Sequence, residues 1–153
     1  MCEDKEEVLQ GVIREIISNY DAGTLIPHEW LKKKCDIKTP NFNEYASVAD
    51  FLEAVKMQQF NYMTFIDSLR WEMIEKWNMW LKNERGEGYI ILNPKDQVAF
   101  GYERFVDGLK KLMKETSLIM NNVCTVNGEQ QAKDNDLRAK YAAMKMMLDT
   151  IKK

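Results

Sequence analysis

His28 is the sole histidine among the 153 residues of the chain. That excludes a histidine-based nucleophile relay and a multi-histidine metal site at the outset. It stands beside Glu29 where a helix should begin, a place suited to a capping or solvent-facing imidazole. Asp67, Glu72 and Glu75 lie close together along one segment and could serve as paired carboxylates for acid–base work, but a solvated helix surface has the same composition. No GxxxxGKS or GxxxxGKT loop, no GxGxxG after a strand and no GxSxG is present, so phosphate cradling and serine-nucleophile chemistry lack their usual carriers. Cys2, Cys35 and Cys124 are odd in number and without a CxxC pair, which reads as free thiols rather than a disulfide framework or a zinc site. These residues predict a protein that is not an enzyme and holds no metal or cofactor.

Basic residues give a different opening. Lys32-Lys33-Lys34, followed by Lys38, is the one dense cationic cluster in the first two thirds of the chain. It reads either as a solvated helix end complementing the macrodipole or as a contact to phosphates. Net charge is −2, distributed as −4 over residues 1–22, −1 over 23–94 and +3 over 95–153. A nucleic-acid binder normally carries a basic stripe, because its affinity comes largely from counterion release, and that footprint is weak here. No apolar run approaches the roughly 18–20 residues of a membrane helix, and the first ten residues are acidic. The expectation is a soluble cytoplasmic protein without membrane contact.

The elements that must position these groups centre on Phe60–Pro94. Phe65, Leu69, Met73 and Trp77, widened by Ile66 and Ile74, recur at helical spacing and predict an amphipathic helix from Tyr62 to about Trp77. The period then changes. Glu84-Arg85-Gly86-Glu87-Gly88 is a polar turn with glycines free to take positive φ, Tyr89-Ile90-Ile91-Leu92 is β-prone, and Asn93-Pro94 closes the run. Upstream, Val8, Leu9, Val12, Ile13, Ile16 and Ile17 describe a first helix over Lys5–Tyr20 with Gly23 as its stop. Thr24-Leu25-Ile26 is short and β-prone, and Pro27 suits the first turn of a second helix reaching Lys34. Lys38–Tyr45 should be a loop. Ser47, with Asp50 three residues on, caps a third helix ending near Met57. That third helix is either an insertion before the central one or continuous with it, and chain order favours the insertion.

A helix feeding a hairpin with a charged, Gly-rich tip resembles the second half of a winged helix-turn-helix domain, and Arg85-Gly-Glu-Gly-Tyr-Ile-Ile is similar to the wing of response-regulator effector domains. The resemblance implies a fold that is mainly α with one β-hairpin, and double-stranded DNA as a candidate partner. On that reading Lys32, Lys33 and Lys34 contact phosphates. Asn61, Tyr62 and Thr64 stand at the N-terminal turn of the recognition helix, with Arg70 further along it and Arg85 at the wing tip. Asp67, Glu72, Glu75, Glu84 and Glu87 on the same segment oppose phosphate. They favour the alternative, a protein-binding adaptor or inhibitor on the same scaffold, of a type common in phage and mobile elements. Trp71, Trp77, Trp80, Phe60, Phe65 and Met73 could form an aromatic patch for such a partner, although filling the core is the favoured role.

After Pro94 the positions Val98, Tyr102, Phe105, Leu109, Leu112, Thr116, Ile119 and Val123 keep a 4-3-4-3 spacing, and Leu137, Tyr141, Met144, Leu148 and Ile151 repeat it. The pattern predicts an antiparallel helical hairpin over 95–153 behind a winged-helix-like domain over 5–94, turning at Thr125–Gln130. Met144, Met146 and Met147 cannot all face one seam, so a second contact surface is expected there, with homodimerisation through the hairpin as the favoured use.

Overall fold

The computed structural model describes residues 3–123 and 127–151. Cys2, Cys124 and the Thr125-Val126 part of the expected turn lie outside the described residues, as does the side chain of Ile151. The fold is mainly helical with a small antiparallel sheet. The chain divides into two compact units, Met1–Gln97 and Val98–Lys153. No helix among the described residues is long and apolar enough to cross a membrane.

The first unit runs α1 (Glu3–Asn19), β1 (Leu25–Pro27), α2 (His28–Lys34), a 3-10 turn (Phe42–Glu44), α3 (Val48–Trp77), β2 (Leu81–Glu84) and β3 (Gly88–Ile91). Leu9, Val12, Ile13 and Ile16 of α1 fall on one helical face, as do Tyr62, Ile66, Leu69 and Met73 of α3, and both faces are buried. Ile26, Leu31, Leu81, Tyr89 and Ile91 complete the same buried cluster. Each fully buried Leu or Ile contributes about 1.5–3 kcal/mol, so these two helical stripes and the sheet face set the stability of the unit.

Sheet order is β1-β3-β2. The hairpin is the expected one, and the β-prone Leu25-Ile26 adds a third strand to it together with Pro27, which is extended at the end of β1 and precedes α2 instead of opening it; Leu25 lies opposite Ile90 and Pro27 opposite Gly88. Arg85-Gly86 form the turn, with Gly86 at φ 82° and the Glu87 N–H donating to the Glu84 carbonyl at 3.1 Å. Gly88 is required for another reason. A Cβ there would lie 2.0 Å from the Ile26 carbonyl oxygen, so only glycine lets β1 approach β3. The His28 N–H then donates to the Glu87 carbonyl at 3.0 Å, which carries the strand into α2.

One expectation is corrected. The helix ending near Met57 and the helix starting near Tyr62 are a single helix, α3, of 30 residues. Gln58-Gln59-Phe60-Asn61 contains neither Gly nor Pro, so nothing removes a donor or favours a break. Its start is the expected one, with the Ser47 hydroxyl accepting from the Asp50 N–H at 3.2 Å; its end at Trp77 is set by the following residue, Asn78, which takes a left-handed φ of 56° while the Met79 N–H donates to the Met73 carbonyl.

The second unit is a hairpin of helices, formed by α4 (Pro94–Asn121) from Val98 onward and α5 (Gly128–Ile151). They run antiparallel: the Tyr141 hydroxyl donates to the Met113 carbonyl at 2.8 Å and accepts from Ser117 at 2.8 Å, and Arg138 donates to the Met120 carbonyl at 2.9 Å. The half-buried residues of α4 include Val106, Leu109, Met113, Thr116, Ser117 and Met120. The expected seam is therefore met in part: Leu109 and Thr116 are half-buried as placed, while Val106, Met113 and Met120 join them from one position on. Phe105, Leu112 and Ile119, placed in it from their heptad spacing, are exposed, because one partner helix covers only the adjoining face of α4.

Candidate functional site

Most of the residues expected to meet DNA have partners of their own. Lys34 pairs with Glu15 at 2.6 Å and its Nζ lies 5.6 Å from the Trp30 ring centre. The Lys32 Nζ sits over the Tyr62 ring at 5.4 Å. Lys33 is exposed. The Arg70 guanidinium stacks 4.6 Å from the Trp80 ring centre, and Arg85 is exposed at the hairpin turn.

Continuity of α3 changes the position of the next three. Asn61, Tyr62 and Thr64 are in mid-helix and not at an N-terminal turn, which corrects their expected placement. Asn61 and Thr64 are exposed, with the Thr64 hydroxyl donating to the Phe60 carbonyl at 2.9 Å. Tyr62 is only 9% exposed and points inward. Its hydroxyl lies 2.8 Å from His28 Nδ1, and the His28 ring meets both Tyr62 and Tyr89 edge-on. Burial, chiefly, and then the neighbouring Lys32 charge hold the His28 pKa below its ordinary value; burial, reinforced by Tyr89 and Cys35, raises that of Tyr62. His28 thus joins the start of α2 to the middle of α3.

The acidic residues of α3 do not converge. Glu72 pairs with Lys76 at 2.6 Å and accepts from Gln10 at 3.4 Å, and the Lys76 hydrogen bond is the main cause of its lowered pKa. Asp67 and Glu75 are exposed. Among the described residues no group of three or more His, Cys, Asp or Glu is placed to hold a metal ion.

What the fold does assemble is an apolar outer face on α3. Phe60, Met63 and Trp71 are 64%, 65% and 62% exposed, with Thr64 and Asp67 between them. Steps of three, one, three and four put these residues on the side of the helix away from Tyr62, Ile66, Leu69 and Met73. Met63 also borders a shallow depression of about 160 Å³ lined by Lys32, Gln58, Gln59 and Tyr62. The assignment of Phe60, Trp71 and Trp77 to core filling is corrected: of that aromatic and Met set, Met73 is buried and Phe65 packs against the core, whereas Trp77 is 45% exposed. Trp71 follows Leu69 by two residues, about 200° around the helix, so a core-facing Leu69 turns Trp71 outward. Met63 had not been singled out in sequence. Its signal was present, since Phe60, Met63, Asp67 and Trp71 keep helical spacing on a second face of a segment whose first face is already apolar.

Met144, Met146 and Met147 of α5 are all exposed. Comparison with family models, with curated proteins and with solved structures finds no match to the chain.

Proposed function

We propose that the chain is a non-enzymatic binding protein whose winged-helix-like first unit docks a protein partner through the outer face of α3, with Phe60, Met63 and Trp71 as anchors. The exposure of these three side chains on one helical face carries the reading. Together they offer on the order of 400 Å² of apolar surface, a size that on a monomer is often functional. Trp, Phe and Met are enriched in protein interfaces and Trp is a frequent hot spot. Thr64 and Asp67 lie between the three anchors, and Asn61 lies beside them. The succession α1, β1, α2, α3, β2, β3 supports the winged helix-turn-helix resemblance as the scaffold of this proposal.

A second reading, duplex DNA held through Lys32, Lys33, Lys34, Asn61, Thr64 and Arg85, draws on the exposed positions of Lys33, Asn61, Thr64 and Arg85. The engagement of Lys34 by Glu15 and the acids Asp67, Glu84 and Glu87 count against it.

The two readings separate in one set of proteins: wild type, Phe60→Ser/Met63→Ser/Trp71→Ser, and Lys32→Ala/Lys33→Ala/Lys34→Ala, each checked for native circular dichroism. The expected result is a partner from source-cell lysate that is retained by wild type and the lysine variant and lost from the α3 variant. Binding of a mixed-sequence duplex that weakens steeply with salt, drops in the lysine variant and ignores the α3 variant would overturn the protein-docking reading in favour of DNA.

A further inference from the structure

The α4–α5 hairpin has no interior. None of its described residues is among the buried hydrophobics of the molecule, and its two helices meet along half-buried positions and the Tyr141 and Arg138 hydrogen bonds. We propose that this hairpin is half of a four-helix bundle, completed by the hairpin of a second copy of the chain. The inference rests on the second unit alone and stands whatever the α3 face binds.

The two flanks of the hairpin differ. On one flank a depression of about 180 Å³ is lined by Lys110, Met113, Lys114, Ser117, Lys145 and Asp149, which marks that side as polar. The opposite flank is set by helix geometry. On α4, Phe105, Leu112 and Ile119 each precede an α5-facing residue (Val106, Met113, Met120) by one position, so they turn about 100° away from α5, opposite in sense to Lys110 and Lys114. On α5, Leu137 and Met144 lie on the other side of Tyr141 from Lys145, four before it and three after. Both rows therefore share one flank. Phe105, Leu112 and Ile119 are 55%, 59% and 67% exposed, and Leu137 and Met144 are each 56% exposed.

Area and periodicity choose the occupant. These five side chains present on the order of 600 Å², at the top of the range for the largest patch on a monomer and at the lower end of what each partner gives a stable interface, about 600–1,000 Å². Both rows repeat every seven residues, the period at which helices interlock at a shallow angle. Gly108, Leu109, Thr116 and Tyr141, which lie among these rows, carry no charge at neutral pH, and the two cations that border the α5 row, Lys133 and Lys140, are each paired with an acid one turn before, Glu129 and Asp136. A second copy can thus approach face to face although residues 95–153 carry +3. A two-fold pairing sets each row against a row of the same period and closes the assembly at a dimer.

Light scattering on the full chain, across a range from about 1 μM to several hundred μM, tests the proposal. The expected mass is twice that of the chain. Leu112→Glu/Ile119→Glu should return it to the monomer, while Lys110→Glu/Lys114→Glu on the polar flank should leave the dimer intact. Should the double glutamate variant lose helicity, Leu112→Ala and Ile119→Ala serve instead, each expected to weaken dimerisation at least tenfold with circular dichroism unchanged. A chain monomeric throughout the range, or a dimer indifferent to all the α4 apolar substitutions, overturns the proposal.

Discussion

His28 Nδ1 and the Tyr62 hydroxyl lie 2.8 Å apart, joining the first residue of α2 to a buried position of α3. With the ring neutral and its proton on Nε2, the hydroxyl donates to Nδ1. Burial and Lys32 both disfavour the charged ring, so its folded pKa is lowered while the unfolded chain keeps about 6.5. Between those two values the unfolded state binds more protons. Stability must therefore rise with pH across this window and be lost as pH falls from 6.5 through the folded value. Urea unfolding should show a higher midpoint at about pH 7.5 than at about pH 5.5. Because this is the sole histidine, His28→Gln should largely remove that difference; an equal pH response in the variant would assign it to other groups.

Cys35, half-buried behind α2, makes a prediction about reactivity. Burial pushes its thiol pKa up to about 12, and only the thiolate reacts with iodoacetamide. At about pH 8 its alkylation, followed by peptide mass mapping to separate it from Cys2 and Cys124, should be at least tenfold slower in the native protein than in urea. Equal rates would mean that the thiol is solvated.

Two glycines should respond in opposite directions. A Cβ on Gly88 meets the Ile26 carbonyl at 2.0 Å, whereas one on Gly11, within α1, meets nothing within 4 Å. Gly88→Ala must push β1 away from β3, and a loss of about 2 kcal/mol or more is expected. Gly11→Ala should stabilise by roughly 0.5–1 kcal/mol through helix propensity. Thermal or urea unfolding of both variants checks the pair.

Local chemistry was legible along most of the chain. Apolar periodicity placed α1, the inward row of α3 and the two helices of the second unit; Gly86 marked the hairpin tip and Pro94 its far end, and Ser47 and Asp50 marked the true start of α3. What was not legible depended on which face met what. Ending a helix at Met57 assumed a break that no residue there enforces, and it moved Tyr62 from the core to a helix terminus. Trp71 and Phe60 are large and apolar, which favours a core role, yet hydrophobicity ranks residues and does not orient them. Orientation follows from register against Leu69 and Met73. In α4 the spacing was read correctly as a heptad, but spacing cannot tell which of two adjoining rows meets α5.

The two faces of α3 give the most direct test of this register. Leu69 is fully buried while Trp71 is 62% exposed. Leu69→Ala removes packed methyl groups from the core and should destabilise the protein by about 2–5 kcal/mol. Trp71→Ser removes a far larger side chain from solvent and should change stability by less than about 0.5 kcal/mol. Urea midpoints measured on both variants decide the matter: a Trp71→Ser loss comparable to that of Leu69→Ala would place Trp71 in a packed environment and remove it from the docking face. The expected asymmetry, small loss at Trp71 together with loss of the captured partner, would separate a residue kept for binding from one kept for folding.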